Sequence, residues 1–120
     1  MNNPQLTQEV SQLHADICSA LADPNRILLI YAIVEQPRSV NDLAEELGIS
    51  QPATSRNLKV LRDRGLVFTV RQGSSLVYHL TDVRLVDALN MLRSVLRDRL
   101  TYRASLMESD TEATQPINQA

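Results

Sequence analysis

The chain has 120 residues, 43% of them hydrophobic, and a formal net charge of −2, which allows one domain with a core of its own. Aromatic residues make up only 3% and Trp is absent, which argues against a single-strand binder that stacks bases on aromatic platforms. One cysteine excludes an intrachain disulfide, and the longest unbroken apolar run, residues 27–34, is far too short to span a bilayer. Nothing resembles a secretory signal, so the expectation is a cytoplasmic protein with no membrane partner.

In chain order, apolar residues first recur at Leu6, Val10, Leu13, Ile17 and Leu21, at spacings of four, three, four and four. That is one stripe along a helix, with Gln8, Glu9, Gln12 and Asp16 opposite it. Asp23-Pro24 is a helix start, because Asp caps free N–H groups and Pro lacks the one that would be orphaned. Residues 27–34 therefore form a buried second helix rather than a strand, apolar on every side, which Pro37 ends. Ser39 opens a third helix with Asp42 three residues on, and Val40, Leu43, Ala44 and Leu47 face inward. Gly48 supplies the left-handed residue that stops it.

Ser50 caps a fourth helix with Pro52 in its first turn. Thr54, Leu58 and Leu61 form its buried side, and Pro52, Arg56, Lys59 and Asp63 point away, with Gln51, Ser55 and Arg62 at the border. Asn57 falls near the edge of the buried side, beneath the segment that follows. After Gly65 the period changes to two. Residues 67–71 and 76–80 flank Gln72-Gly73-Ser74-Ser75 as a β-hairpin, with Leu76, Tyr78 and Leu80 on one face and His79 on the outer surface. A long last helix starts at Thr81 or Asp82 and carries Leu85, Leu89, Leu92, Leu96 and Leu100, broadened by Val86, Met91 and Val95. The ordered domain is expected over residues 1–107. Residues 108–120 are polar, have no period, and read as a disordered tail.

The charge is unevenly placed. Residues 1–49 hold two basic residues against seven acidic, whereas residues 50–84 hold six basic residues against Asp63 and Asp82. Local charge decides where a polyanion docks, so the basic segment outweighs the acidic total. The fold class is accordingly mainly α with a small β-hairpin, α-α-α-α-β-β-α: two short helices joined by Leu47-Gly48-Ile49-Ser50 and a hairpin make a winged helix-turn-helix. In such a fold the third helix fixes the angle of the fourth, whose first turns and polar face enter the major groove of double-stranded DNA. The candidate contacts are Ser50, Gln51, Pro52, Ala53, Ser55, Arg56 and Lys59 on that helix. Arg71, Gln72 and Ser74 on the hairpin are placed to follow the backbone or enter the minor groove. Arg62 and Arg64 stand between DNA contact and pairing with Asp63 or other surface acids.

These segments resemble the ArsR family of small bacterial repressors over residues 21–81. The resemblance is carried by Leu21-Ala22-Asp23-Pro24-Asn25-Arg26, by Ser50-Gln51-Pro52-Ala53-Thr54-Ser55-Arg56-Asn57-Leu58, by Leu61-Arg62 and Gly65-Leu66-Val67, and by Gly73-Ser74-Ser75-Leu76-Val77-Tyr78-His79-Leu80. It implies a homodimer formed by the first and last helices, with each recognition helix on one half-site of an inverted repeat. The stripes on the two end helices, larger than one small core covers, support the dimer independently, the alternative being that the first helix folds over the last within one chain.

Many members of the family sense metals. One family site uses Cys-x-Cys on the third helix, where this chain has Val40-Asn41-Asp42-Leu43-Ala44-Glu45-Glu46 and no thiol. A second begins Asp-x-His on the last helix, where this chain has Asp82-Val83-Arg84, with Val95 eleven residues on and then Asp98. A guanidinium and a Val cannot replace imidazole on zinc, so no metal or other cofactor is expected. His14 and Cys18, four residues apart on the first helix, are open to two readings. They form half of a thiolate–imidazole site completed across a dimer, or, as the sequence favours, a buried small hydrophobe and an interface residue. The reading is therefore a sequence-specific repressor with an unidentified effector. The alternatives are a metal- or thiol-responsive repressor using His14 and Cys18, and a protein-binding winged helix that has left DNA. No paired carboxylates, nucleophile–base spacing or phosphate-binding glycine loop supports an enzyme.

Overall fold

The computed structural model describes residues 3–112, with side chains described through residue 108. Short polar side chains start the first four helices by accepting a backbone N–H that helix geometry leaves unpaired. Asn3 Oδ1 accepts from the Leu6 amide at 3.0 Å and opens α1 (Pro4–Leu13). Asp23 Oδ1 accepts from the Asn25 amide at 2.8 Å and opens α2 (Pro24–Glu35). Ser39 Oγ accepts from the Asp42 amide at 3.3 Å and opens α3 (Val40–Leu47). Ser50 Oγ accepts from the Ala53 amide at 3.2 Å and opens α4 (Gln51–Asp63). A proline sits in the first turn of α1, α2 and α4, where its missing N–H leaves nothing unpaired. Gly48, at φ 69°, adopts the left-handed conformation that ends α3.

The antiparallel strands β1 (Val67–Gln72) and β2 (Ser75–Leu80) follow. The turn is tighter than the expected four-residue link. Gln72 and Ser75 pair in the ladder, leaving Gly73-Ser74 as a two-residue turn with Gly73 at φ 63°. Val67 opposes Leu80, Thr69 opposes Tyr78 and Arg71 opposes Leu76, so these six residues share one face. The other face carries Phe68 stacked on His79 at 5.2 Å between ring centres. His79, expected on the open surface, is half-buried, and its Nε2 is sheltered with no hydrogen-bond partner among the described residues.

The chain divides into one unit ending at Val83 and a second beginning at Arg84. In the first, Ala20, Leu29, Ile30, Ile33, Leu43, Leu58, Leu61 and Val67 form the core, with Thr54 buried among them. The Thr54 hydroxyl donates to the Ser50 carbonyl at 2.8 Å, so this buried polar group is satisfied. The second unit is α5 (Arg84–Glu112), which begins later than the expected Thr81 or Asp82. It also crosses the boundary expected between residues 107 and 108. Residues 113–120 of the expected tail lie outside the described residues.

Two further expectations are corrected. α2 is not enclosed on every side: Leu29, Ile30, Ala32 and Ile33 are buried, whereas Leu28 and Val34 are exposed. The first stripe does not lie on one continuous α-helix either. After Leu13 the chain widens into a π-turn over His14–Cys18, where the Ser19 amide donates to the His14 carbonyl, and then tightens into a 3-10 turn over Ala20–Ala22. Distant arginines hold this irregular segment. Arg64 donates to the Ala15 carbonyl and Ser19 Oγ, and Arg26 donates through Nε to the Ala20 carbonyl at 2.6 Å and through Nη2 to the Ser19 carbonyl at 3.4 Å.

Arg26 extends further, with Nη1 donating to Asn57 Oδ1 on α4 at 3.1 Å and lying 3.7 Å from Asp23. Its side chain is only 16% exposed, so truncation would leave several sheltered acceptors unpaired. Arg26→Ala is expected to lower stability by about 2–3 kcal/mol in urea unfolding. Arg26→Lys should recover little of it, because an ammonium cannot reach acceptors spread across the guanidinium plane.

Candidate nucleic-acid interface

The helix-turn-helix is built from its buried side outward. Leu43 and Ala44 of α3 and Leu58 and Leu61 of α4 are all buried, and the remaining face of α4 is left to solvent. Asn57 completes the mount. Its side-chain oxygen accepts from Arg26 and so ties α4 to the start of α2.

The hairpin is fixed by a separate set of bonds. The Tyr78 amide donates to the Arg38 carbonyl at 2.9 Å, and the Thr81 amide donates to the Leu66 carbonyl at 3.0 Å. Arg38 is itself anchored, donating through Nη2 to the Ala32 carbonyl at 2.7 Å and through Nε to the Gln36 carbonyl at 3.1 Å, with Glu46 at 3.7 Å. The residue that pairs with β2 therefore also closes the end of α2.

On this mount Gln51, Pro52, Ser55, Arg56 and Lys59 are exposed. Ser50 is exposed too, with its oxygen engaged as the cap, and Ala53 is half-buried. Arg71, Gln72 and Ser74 are exposed around the hairpin turn, but Arg71 and Gln72 lie on opposite faces of the ladder. Two polar clefts open beside this surface. One, of about 440 Å³, is lined by Ser55, Lys59, Arg62 and Asp63 of α4 and Tyr78 of β2. The other, of about 340 Å³, lies between Ser39 and Asn41 and the hairpin residues Arg71, Ser74 and Tyr78.

The seven basic residues before Val83 divide by task. Arg26, Arg38 and Arg64 bond to backbone carbonyls and hold the fold. Lys59 pairs with Asp63 at 3.1 Å, both side chains being more than half exposed, a geometry that contributes at most about 1 kcal/mol. Among the described residues Arg56, Arg62 and Arg71 have no side-chain hydrogen bond or ion pair. Each is exposed, and each lies on α4 or the hairpin. Tyr78, which alternation places only on one face of the hairpin with Leu76 and Leu80, lines both clefts. The strand register, with Tyr78 two places from Leu76 opposite Arg71, was the signal available to find it.

His14 and Cys18 fall in the π-turn, and both are exposed, so Cys18 is not the buried hydrophobe it was expected to be. Among the described residues no group of three or more His, Cys, Asp or Glu side chains is placed to hold a metal ion. No helix among them is long and apolar enough to cross a membrane.

The family model described as bacterial regulatory protein, arsR family, matches residues 23–69, from the cap of α2 into β1. The HTH-type transcriptional regulator NmtR of Mycobacterium tuberculosis is 41% identical over 83 residues, covering 67% of this chain and 69% of that protein. The chain belongs to the ArsR family of bacterial regulatory proteins. Among other relatives, the biofilm growth-associated repressor of Xylella fastidiosa is 32% identical over 96 residues, covering 77% of this chain and 84% of that protein. The crystal structure of the transcriptional repressor BigR from Xylella fastidiosa superposes with a TM-score of 0.67 at 30% identity, covering 79% of this chain and 96% of that one. NolR from Sinorhizobium fredii superposes with a TM-score of 0.68 at 28% identity, over 79% and 95% of the two chains. The winged helix-turn-helix fold of this ArsR-family chain is thus found in solved relatives.

The division of arginines is open to test without any ligand. Arg56→Ala should leave the free energy of unfolding within about 0.5 kcal/mol of the parent, as for an exposed side chain without a partner. A loss as large as that from Arg26→Ala would place Arg56 in the structural set instead.

Proposed function

We propose that this protein is a cytoplasmic transcriptional repressor that binds double-stranded DNA sequence-specifically, as a homodimer on an inverted repeat. The observation that carries the reading is the placement of Arg56, Arg62 and Arg71. The cations before Val83 without a partner among the described residues gather on α4 and the hairpin, although the chain as a whole is acidic. A phosphate backbone responds to this local field and not to the net charge.

The roles follow from chemistry and reach. Gln51, Ser55 and Arg56 present amide, hydroxyl and guanidinium groups suited to base edges in the major groove, where Arg pairs best with guanine and Gln with adenine. Pro52, Ala53 and Ser55 are small and permit close approach, while Ser50 holds the first turn in shape. Lys59 supplies charge toward the backbone. Arg71, Gln72 and Ser74 reach the flanking backbone or minor groove.

Dimerisation is supported by what the two end helices leave uncovered. Leu6, Val10 and Leu13 on α1 are 42–50% exposed, and Leu92, Val95, Leu96 and Leu100 on α5 are 51–61% exposed. Contiguous apolar faces of this kind mark association surfaces. A two-fold dimer presents two copies of α4, one for each half of an inverted repeat, whose half-sites in helix-turn-helix operators lie about 34 Å apart. The relatives named as repressors support repression as the outcome. The family's metal positions are replaced by Arg84 and Val95, so the protein is proposed to act without those sites.

Fluorescence anisotropy on the duplex upstream of the protein's own reading frame, against a scrambled duplex at about 0.15 M salt, tests the reading. A preference of about a thousandfold or more is expected. Equal, weak binding to both contradicts it. Arg56→Ala should weaken the specific complex by about 1–3 kcal/mol and relax discrimination at one base pair. Replacing Leu96 and Leu100 together with Glu should give monomers in sedimentation velocity. A dimer that survives this change would place the interface elsewhere.

A further inference from the structure

We propose that the cleft between α4 and β2 is a phosphate seat, in which Arg62 and the Tyr78 hydroxyl hold one backbone phosphate of the bound DNA. The inference rests on the DNA-binding reading above and assigns to that surface two residues with a task different from base recognition.

A recognition helix in the major groove and a wing at the adjacent minor groove lie on either side of one sugar–phosphate strand. That strand has to pass through the gap between them. Here the gap is the cleft of about 440 Å³ lined by Ser55, Lys59, Arg62, Asp63 and Tyr78. Its lining suits a phosphodiester: two cations against one carboxylate, with two hydroxyl donors. Arg62 is exposed and unpartnered among the described residues, and its planar fork matches two phosphate oxygens at once. Asp63 does not bar an anion, because Lys59 lies 3.1 Å from it and offsets its charge.

Tyr78 is the fixed wall of the seat. Its amide is bonded to the Arg38 carbonyl at 2.9 Å, and Arg38 is held in turn by the end of α2. The ring is half-buried, and the hydroxyl makes no hydrogen bond among the described residues. Tyr78 also lines the second cleft, which carries Arg71, so it stands between two cationic positions. A rigid phenol beside an exposed guanidinium sets where the strand sits, and therefore how far α4 enters the groove. Both contacts are blind to sequence, unlike the proposed contact of Arg56.

The test uses the full chain and two duplexes, one recovered by the wild-type protein from a random-sequence pool and one scrambled. Affinity is measured between about 50 and 200 mM salt. Arg62→Gln should weaken both duplexes by the same factor and reduce the slope of log K against log salt by about 0.9. Arg62→Lys should restore that slope. Tyr78→Phe keeps the ring and the backbone pairing and should lower affinity about three- to tenfold with the slope unchanged. A methylphosphonate placed at successive positions should reveal one phosphate whose neutralisation weakens the wild-type protein but not Arg62→Gln. An unchanged slope in Arg62→Gln, or loss of discrimination between the duplexes, overturns the seat while leaving the repressor reading intact. A wild-type protein that recovers no duplex from the pool overturns both.

Discussion

The guanidinium of Arg26 is the contact on which the placement of α4, the helix proposed to meet DNA, depends. It rises from the first turn of α2, takes up the carbonyls of Ser19 and Ala20, and donates to Asn57 on α4. A recognition helix is useful only at a set angle to its support, and apolar packing alone permits several. A sheltered, charge-assisted bond to one amide selects among them, because a shifted α4 would cost the Asn57 oxygen its bond from Arg26 Nη1. Arg38 does the corresponding work for the wing, binding the end of α2 with its side chain and β2 with its carbonyl. The two elements proposed to meet DNA are thus both indexed to α2.

The same residue type stands in two kinds of surroundings in this small unit. Arg26 and Arg38 are largely sheltered and their donors are occupied, and Arg64 bonds to the π-turn. Arg56, Arg62 and Arg71 are exposed, and among the described residues their donors are free. An unpartnered exposed arginine contributes little to folding, so its value lies in what it meets. Lys59 is intermediate: its exposed pairing with Asp63 is weak enough to be exchanged for a phosphate. An acidic chain can in this way carry a basic working face.

Much of the fold was legible in the sequence because its signals are local. Asp23-Pro24, Ser39, Ser50 and Gly48 act within a turn or two of themselves, and each does in the structure what its chemistry dictates. The buried side of α4, Thr54, Leu58 and Leu61, followed from helical period alone. What escaped depends on residues far apart in the chain. The π-turn at His14–Cys18 is held by Arg64 and sits beside contacts from Arg26, and no pattern near His14 announces it. Asn57 looked like a packing residue until its partner thirty-one positions away was known. His79 read as exposed because alternation placed it opposite Leu80, whereas stacking on Phe68 shelters it. Of the candidate site, the α4 face was readable from period and charge, but Tyr78 needed the strand register and its bridge to Arg38.

Arginine side-chain NMR during titration with a cognate duplex tests the central claim most directly, since each Nε–H group reports its own surroundings. The account predicts that the Nε–H signals of Arg56, Arg62 and Arg71 shift or slow their exchange on binding, while those of Arg26, Arg38 and Arg64 stay where they are in the free protein. Movement of the second set, or binding that leaves the first set unchanged, would contradict the division of structural from DNA-facing arginines.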